Sequence, residues 1–572
     1  MTIRKATKIA QKSYGVKVNV RTDERSVFLS GTARDWQSVV AVGKLFADKK
    51  SGKHVVNDII CNDVPVEVTL LPKQTDKSLE GTEWDVVVIG GGISGCCVAR
   101  ELARYNLKVL LCEKHSDVAH GASGANDGMV HAGIDLKHKC KKLHYVTIVN
   151  AMYDGFCEEL GVDFKREGQY VVFGSRLIRL LASGYIGRAK RHGIPGVCFV
   201  NKKTICNTEP TVSGYAVSAL KIPSTGAVSP YKLTIAVAEN AVQNGVKVSL
   251  NTAVSGFEMS NGTISAVVTN RGTVKTECVV NCAGVFADVI ADMAGDRYFS
   301  IHPRKGVDLI LDPSAEGLPQ NAISLAPTLK MLKANKNTKG GGIIKTVDGN
   351  ILLGPNAVET PLREDVSTSM SDVNEVFDKQ LHCCPSMKKS SIIAYFAGVR
   401  ACTYEEDFLI ERSAKVPNLV HVAGIQSPGL TAAPAFAPDV AKLVVEYLRD
   451  IGIEVNKNNN FNPVRNKPVC TKDLDESRLD DLIKNDEDYG KVICRCERVT
   501  LGEIKAALNN PLGVATIDGV KRRVRTGMGR CQGGFCMPQI VRIISEQKQI
   551  ALSDVQKGDE GSYVAAGEIK SE

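Results

Sequence analysis

The chain has 572 residues, enough for several folding units at the usual ~150 residues per domain. Apolar residues make up 43% and charged residues 24%, which excludes disorder, collagen and coiled coil as descriptions of the whole. The net charge of +9 is small for this length and is not gathered into long basic runs, so nucleic acid is not the expected partner.

The first residues, MTIRKATKIAQKSYG, lack the apolar core and small-residue cleavage site of a secretory signal, and no run of apolar residues is long enough to span a bilayer. The expected location is cytoplasmic. A reducing compartment argues against a disulfide framework for the 18 cysteines, most of which read as small buried hydrophobes.

Residues 1–70 read as a small αβ module. Val16, Val18 and Val20 alternate with polar residues, and Val27 and Leu29 continue the period of two up to a turn expected at Ser30-Gly31. Asp35 is an expected helix N-cap before Trp36, Val39, Val40 and Gly43, and Val55 to Ile60 returns to a strand. VRTDERSVFLSGTARDW together with HVVNDII resembles a BON module, which implies attachment or a lipid-proximal role. Residues 71–83 are polar and aperiodic and read as a linker.

Trp84 to Ile89 is an apolar run of strand length that enters Gly90-Gly91-Gly92-Ile93-Ser94-Gly95, and a good helix former follows. The glycines at 90, 92 and 95 allow a tight turn and close approach of a pyrophosphate to the helix amides. A second strand, Val109 to Cys112, ends at Glu113, where a carboxylate can take the adenosine ribose hydroxyls. Strand, glycine turn, helix, strand and acid in this order specify a dinucleotide site. A second glycine-rich loop, Gly121-Ala122-Ser123-Gly124-Ala125-Asn126-Asp127-Gly128-Met129-Val130-His131-Ala132-Gly133, follows directly.

With that loop, residues 84–450 resemble the FAD-dependent oxidoreductases of the D-amino-acid oxidase and glycerol-3-phosphate dehydrogenase superfamily. Further marks are Thr225-Gly226-Ala227-Val228-Ser229-Pro230, Asn281-Cys282-Ala283-Gly284, Asp348 to Pro355, Gly398-Val399-Arg400 and Ala423 to Thr431. The resemblance implies an α/β fold: a Rossmann-like FAD-binding domain with an interleaved antiparallel substrate domain, mainly residues 140–250 and 295–400. It places Gly90, Gly92, Ile93, Ser94, Gly95, Glu113, Lys114, Ser123, Asn126, Gly128, Val254, Ala283, Gly284, Gly398, Gly424, Gly429, Leu430 and Thr431 on the cofactor. The helix beginning at Pro428-Gly429 would turn its positive end to the flavin.

Arg400 is the expected clamp for the anionic end of a substrate, since a guanidinium offers a planar fork to carboxylate or phosphate; an ordinary ion pair is the alternative. Arg304 and Lys305 are second candidates, against a solvated basic turn. The family often continues that turn with Gly-Glu-Tyr, where this chain has Gly306-Val307-Asp308. His131 falls against the flavin and is read as a general base, a packing group or a covalent attachment site.

Residues 451–490 read as a second linker, 491–545 as a small helical domain and 546–572 as a tail that is expected to fray beyond about Leu552. Cys494-x-Cys496 and Cys531-x-x-x-x-Cys536 can hold a 2Fe-2S cluster, two thiolates per iron, whereas zinc sites more often use Cys-x-x-Cys pairs. VICRCERVT with TGMGRCQGGFC resembles the bacterioferritin-associated ferredoxin-like domain, a domain found appended to several flavoproteins. The basic segment before Cys531 reads either as a dock for an acidic partner or as a solvated loop.

A two-electron and a one-electron acceptor in one chain imply a dehydrogenase that oxidises a small anionic secondary alcohol by hydride transfer to flavin and exports electrons singly. Glycerol 3-phosphate is the first expected substrate. L-2-hydroxyglutarate or another 2-hydroxy acid, and an amine or amino acid, stay open, as does a role as an electron-transfer subunit of a larger complex. Expected partners are an electron-accepting protein or companion subunits, with peripheral membrane contact and self-association.

Overall fold

The computed structural model describes residues 1–48, 52–64, 69–326 and 341–565. At the N-terminus, helix α1 (Ile3–Tyr14) precedes strands β1 (Asn19–Thr22) and β2 (Ser26–Ala33), helix α2 (Trp36–Phe46) and strand β3 (His54–Cys61). β1 and β3 flank β2, antiparallel and parallel to it respectively. Asp35 caps α2 by accepting from the Ser38 amide at 2.8 Å, and Val39, Val40, Val42 and Phe46 face the module's core. The turn expected at Ser30-Gly31 is not there. β2 runs through both residues because Gly31 passes so close to Lys17 that a Cβ would sit 2.5 Å from its carbonyl oxygen, and the chain instead reverses between Thr22 and Ser26.

This module is braced on the main body of the chain. Tyr404 enters its core, where a Cβ on Gly43 would lie 2.2 Å from the ring, and the Tyr404 hydroxyl accepts from Asn57 Nδ2 at 2.7 Å. Ser26 Oγ donates to the Tyr298 carbonyl and the Val55 amide to Glu405.

The cofactor layer is built on β4 (Glu83–Ile89), helix α3 (Ile93–Leu102) and β5 (Val109–Cys112). β4 lies between β5 and the strand Gly272–Asn281, parallel to both. Lys247–Ser249 joins β5 and Leu419–Ala423 joins Gly272–Asn281, again parallel. Val86, Val87 and Val88 are fully buried, as strands covered on both faces require. Helices Pro230–Gln243 and Gly429–Asp450 pack on α3.

The substrate layer is, among the described residues, a nine-stranded, largely antiparallel sheet whose longest pair, Ile301–Leu311 and Ile392–Thr403, lies at one end, with Ile392–Thr403 on the edge. Its boundary differs from the expected one: residues 230–249 belong to the cofactor layer. Pro230 opens a helix that covers α3, and Lys247–Ser249 extends the parallel sheet.

Residues 451–490 are more than a spacer. Arg465 is ion-paired with buried Glu239 at 2.6 Å, and Asp475 caps a helix over Glu476–Asn485. Three helices, Leu501–Leu508, Ile517–Val524 and Met537–Lys548, then enclose a small core containing Ile504, Leu508, Ile540 and Ile544. The expected fraying does not apply to the tail up to Asp559, whose carboxylate accepts from Ser116 N and Oγ and contacts His115 Nδ1 at 2.7 Å. No helix among the described residues is long and apolar enough to cross a membrane.

Candidate functional site

The glycine turn after β4 is shaped by close backbone approaches. A Cβ on Gly90 (φ +108°) would lie 2.5 Å from the Cys282 carbonyl oxygen, and one on Gly95 would lie 1.9 Å from that of Gly90. Gly92 caps α3, and the Ile93 amide donates to Ser123 Oγ at 2.9 Å, joining the two glycine-rich loops. Ser94 and Gly95 follow in the first turn of α3. Glu113 is buried at the end of β5 and accepts from the Gly91 amide at 2.6 Å and the His115 amide at 2.9 Å.

Val254 starts a strand close to this corner, where Thr252 N donates to the Glu113 carbonyl at 2.7 Å. Ala283 and Gly284 follow the strand Gly272–Asn281, and a Cβ on Gly284 (φ +57°) would enter open space. The cradle between the amino end of α3, Glu113 and Gly284 therefore fits a dinucleotide: amides for the pyrophosphate, a carboxylate for the ribose and no side chain at its floor. Lys114 turns instead to Glu364 in an ion pair and lies 4.3 Å above the Phe286 ring.

Asn126 holds its loop by accepting from the Gly128 amide at 2.9 Å and donating to the Ala122 carbonyl at 2.8 Å. Gly128 (φ +68°) and Gly398 allow contacts that a Cβ would block, at 2.3 Å to the Val228 oxygen and 2.2 Å to the Ala125 oxygen. Gly424 (φ +66°) ends its strand beside Asp407 and Thr403. Helix Gly429–Asp450 is pinned to the loop at its start: Thr431 Oγ1 accepts from the His131 amide at 3.1 Å, and the Leu430 carbonyl accepts from Tyr153 at 3.0 Å. His131 lines a cavity with Ile134, Gln169, Thr225 and Pro428.

This long strand pair brings Arg304, Gly306, Gly398 and Arg400 to one face. Arg304 stands directly opposite Arg400, and Gly306 opposite Gly398, which touches the Ala125 loop. The Arg400 guanidinium lies over Gly306, where a Cβ would be 2.3 Å from Nη2, and Nη2 donates to the Asn356 carbonyl at 3.2 Å. Arg304 and Lys305 are committed elsewhere. Arg304 is paired with Glu359 at 3.0 Å and with Glu406, and Lys305 with Asp365 at 2.8 Å. Burial opposes ionisation of Glu359 and Glu406, yet hydrogen bonds and charge from His302 and Arg304 hold both at about 2.

Asp308, on the same face as Arg400, carried no sequence signal beyond the departure from the family turn. It is 1% exposed and its Oδ1 has no hydrogen-bond partner. Burial, reinforced by Asp127 against the opposing pull of Arg400, pushes its carboxyl well above the ordinary range, which favours the neutral acid over the carboxylate.

In the C-terminal domain, Cys496 Sγ and Cys531 Sγ are 3.4 Å apart, and buried Cys494 and Cys536 form a second interacting pair. The Gly534 amide donates to the Cys531 carbonyl at 3.0 Å, closing the turn around that cysteine, and a Cβ on Gly529 would be 2.4 Å from that of Cys496. Four converging thiols fit a 2Fe-2S cluster. The Cys383-Cys384 pair is buried in the substrate core instead.

The basic segment before Cys531 is neither a solvated loop nor a free dock. Arg523 donates to buried Asp117 at 2.8 Å, in the loop after Glu113. Arg525 donates to Glu497 at 2.8 Å, to Asp348 at 2.8 Å and to Asn350 at 3.0 Å. Arg522 reaches His120 Nε2 at 2.7 Å. Most of these partners lie far from the arginines in sequence, which is why the segment read as unpaired.

Residues 85–443 match the family model described as FAD dependent oxidoreductase, and residues 492–546 that of the BFD-like [2Fe-2S] binding domain. The chain is 37% identical over 490 residues to a glycerol 3-phosphate dehydrogenase of Caloramator mitchellensis, covering 86% of this chain and 99% of that one. It is 24% identical over 502 residues to one of the subunits of the anaerobic glycerol-3-phosphate dehydrogenase of Escherichia coli, covering 80% and 88%. The FAD-bound L-alpha-glycerophosphate oxidase of Mycoplasma pneumoniae superposes with a TM-score of 0.61 at 27% identity, over 68% of this chain and 100% of that one. The chain belongs to the FAD-dependent oxidoreductase family, and its cofactors are FAD and, in the appended C-terminal domain, a 2Fe-2S cluster.

Proposed function

We propose that this enzyme oxidises glycerol 3-phosphate and passes the electrons through its cluster domain to an external acceptor. The observation that carries the reading is the 37% identity to a glycerol 3-phosphate dehydrogenase along 99% of that protein's length. When bound, FAD accepts a hydride and the cluster accepts electrons one at a time, which suits export rather than direct use of oxygen.

The chain's own residues supply binding, orientation and proton transfer. Arg400 clamps the phosphate, its guanidinium laid flat over Gly306 and steadied by the Asn356 carbonyl. His131 takes the hydroxyl proton; its backbone is fixed by Thr431 and by Asn150, which donates to its carbonyl at 3.0 Å. Arg304 and Lys305 shape the sheet through their carboxylate partners rather than by touching substrate. Gly90, Gly92, Gly95, Glu113, Ser123 and Gly284 hold the dinucleotide. Cys494, Cys496, Cys531 and Cys536 ligate the cluster.

The module at residues 1–70 is BON-like and serves attachment, the enzyme is cytoplasmic, and its acceptor is a redox protein or a companion subunit. The likeness to a protein that is itself one component of a multi-chain dehydrogenase supports that last point. Anaerobic addition of glycerol 3-phosphate, L-2-hydroxyglutarate and an amino acid to the holoenzyme tests the reading. Flavin bleaching with glycerol 3-phosphate alone is the expected result. Bleaching only by a reduced partner would instead make the chain a relay.

A further inference from the structure

Residues 176–191 fold as two short helices, Arg176–Leu181 and Gly184–Arg191. In the first, Leu177, Leu180 and Leu181 stand at i, i+3 and i+4, the spacing that gathers side chains on one helix face. That face is the outer one: the leucines are 54%, 67% and 62% exposed, while Ile178 and Ala182 turn to the core. A surface helix is ordinarily built the other way round, and grouped large apolar side chains on a surface mark an interaction site.

The charge pattern states what kind. The same stretch carries Arg176, Arg179, Arg188, Lys190 and Arg191 and no Asp or Glu. Arg176, Arg188, Lys190 and Arg191 are exposed, and the Arg179 guanidinium lies 3.3 Å over the Phe199 ring. Outward leucines rimmed by cations are the composition of an element that lies in a bilayer interface, with the apolar face at the acyl boundary and the cations at the phosphates. The alternative of a span is closed to these helices by their length. Underneath, they rest on Ala132, Ile134, Phe173 and Leu220, and Ile134 lines the same cavity as His131.

We propose that residues 176–191 dock the enzyme reversibly on an anionic phospholipid surface, with Leu177, Leu180 and Leu181 inserted and the neighbouring arginines and lysine on the headgroups. The proposal is independent of the redox reading, since neither substrate nor cofactor takes part in the contact.

The test is co-sedimentation of the holoenzyme with phosphatidylcholine vesicles made with and without phosphatidylglycerol. The wild-type chain is expected to sediment with the anionic vesicles and to be released by high salt. The double variant Leu180→Ser/Leu181→Ser should lower the bound fraction at least tenfold, and Arg188→Gln/Arg191→Gln should abolish the preference for anionic lipid. Both variants should retain the flavin spectrum and the rate with a soluble artificial acceptor, which establishes that they fold. Equal binding to both vesicle types, no binding to either, or unchanged binding by the leucine variant would each overturn the proposal. So would a concentration-dependent dimer in size-exclusion chromatography that the leucine variant loses, because the face would then belong to a second copy.

Discussion

Arg525 and Asp348 close a 2.8 Å ion pair across the seam between the cluster domain and the substrate sheet. The same guanidinium holds Glu497, the residue after Cys496, and Asp348 also receives Lys232 at 2.9 Å. Burial raises the Asp348 carboxyl, but Lys232 and Arg525 outweigh it and the net shift is downward. Arg525→Ala leaves buried carboxylates short of a partner, a loss of about 3–5 kcal/mol for a broken buried pair. The expected result is normal flavin bleaching by substrate, slowed reduction of the cluster in stopped-flow absorbance, and faster protease release of residues 491–545.

Arg400→Met removes the anion clamp while keeping a side chain of similar length over Gly306. Losing charge-assisted hydrogen bonds worth about 2–4 kcal/mol corresponds to a KM for glycerol 3-phosphate raised roughly 30- to 1000-fold. The flavin spectrum should be unchanged. Steady-state kinetics would remove Arg400 from the site if KM stayed at the wild-type value.

The upward shift of Asp308 has a signature in stability. Its folded pKa lies above the unfolded value near 3.8, so the unfolded chain releases a proton that the folded one keeps. Stability is therefore lost as pH rises above that unfolded value. Asp308→Asn keeps the shape without the titration and should melt higher than wild type at pH 8, with the difference vanishing near pH 4. Calorimetry at both pH values checks this, and a variant that melts lower at pH 8 would mean that Asp308 is an ionised partner of Arg400.

The tail latch responds to pH through a different group. Burial opposes charging of His115, but the hydrogen bond to Asp559 wins and raises its pKa above 6.5, so its contribution is present below that value and fades as pH climbs through the raised one. Asp559 is depressed despite burial by the same bond, and its share is lost only in strong acid. Hydrogen exchange across residues 552–563, corrected for the intrinsic rate at each pH, should accordingly show most protection in mildly acidic buffer and least toward pH 9. His115→Gln should abolish the dependence.

Replacing Cys531 with Ser should remove iron and labile sulfide while leaving the flavin in place, since the two sites share no ligand. Metal analysis alongside the visible spectrum reads both cofactors at once.

The cofactor layer was legible because its signals are local: an apolar run, glycines at fixed offsets and an acid at a strand end, each enforced by backbone clearances of the kind seen at Gly90 and Gly95. The cysteine spacing was legible for the same reason. What the sequence hid was pairing at long range. Arg304 and Lys305 read either as substrate ligands or as a solvated basic turn, and neither reading foresaw Glu359, Glu406 and Asp365 folded beside them. The arginines at 522, 523 and 525 and the acid at 559 gave no hint of partners lying far away in the chain. Helix Glu476–Asn485 was missed because it buries no side chain and its apolar stripe is thin.

The arginine seam has a kinetic corollary. Some redox enzymes carry electrons on a tethered domain that commutes between donor and acceptor, so that turnover follows the tether's diffusion. Here the cluster domain is riveted at Asp117 on one flank and Asp348 on the other. A domain fixed at two points has no commute, and internal electron flow should be insensitive to glycerol or sucrose thickening of the solvent.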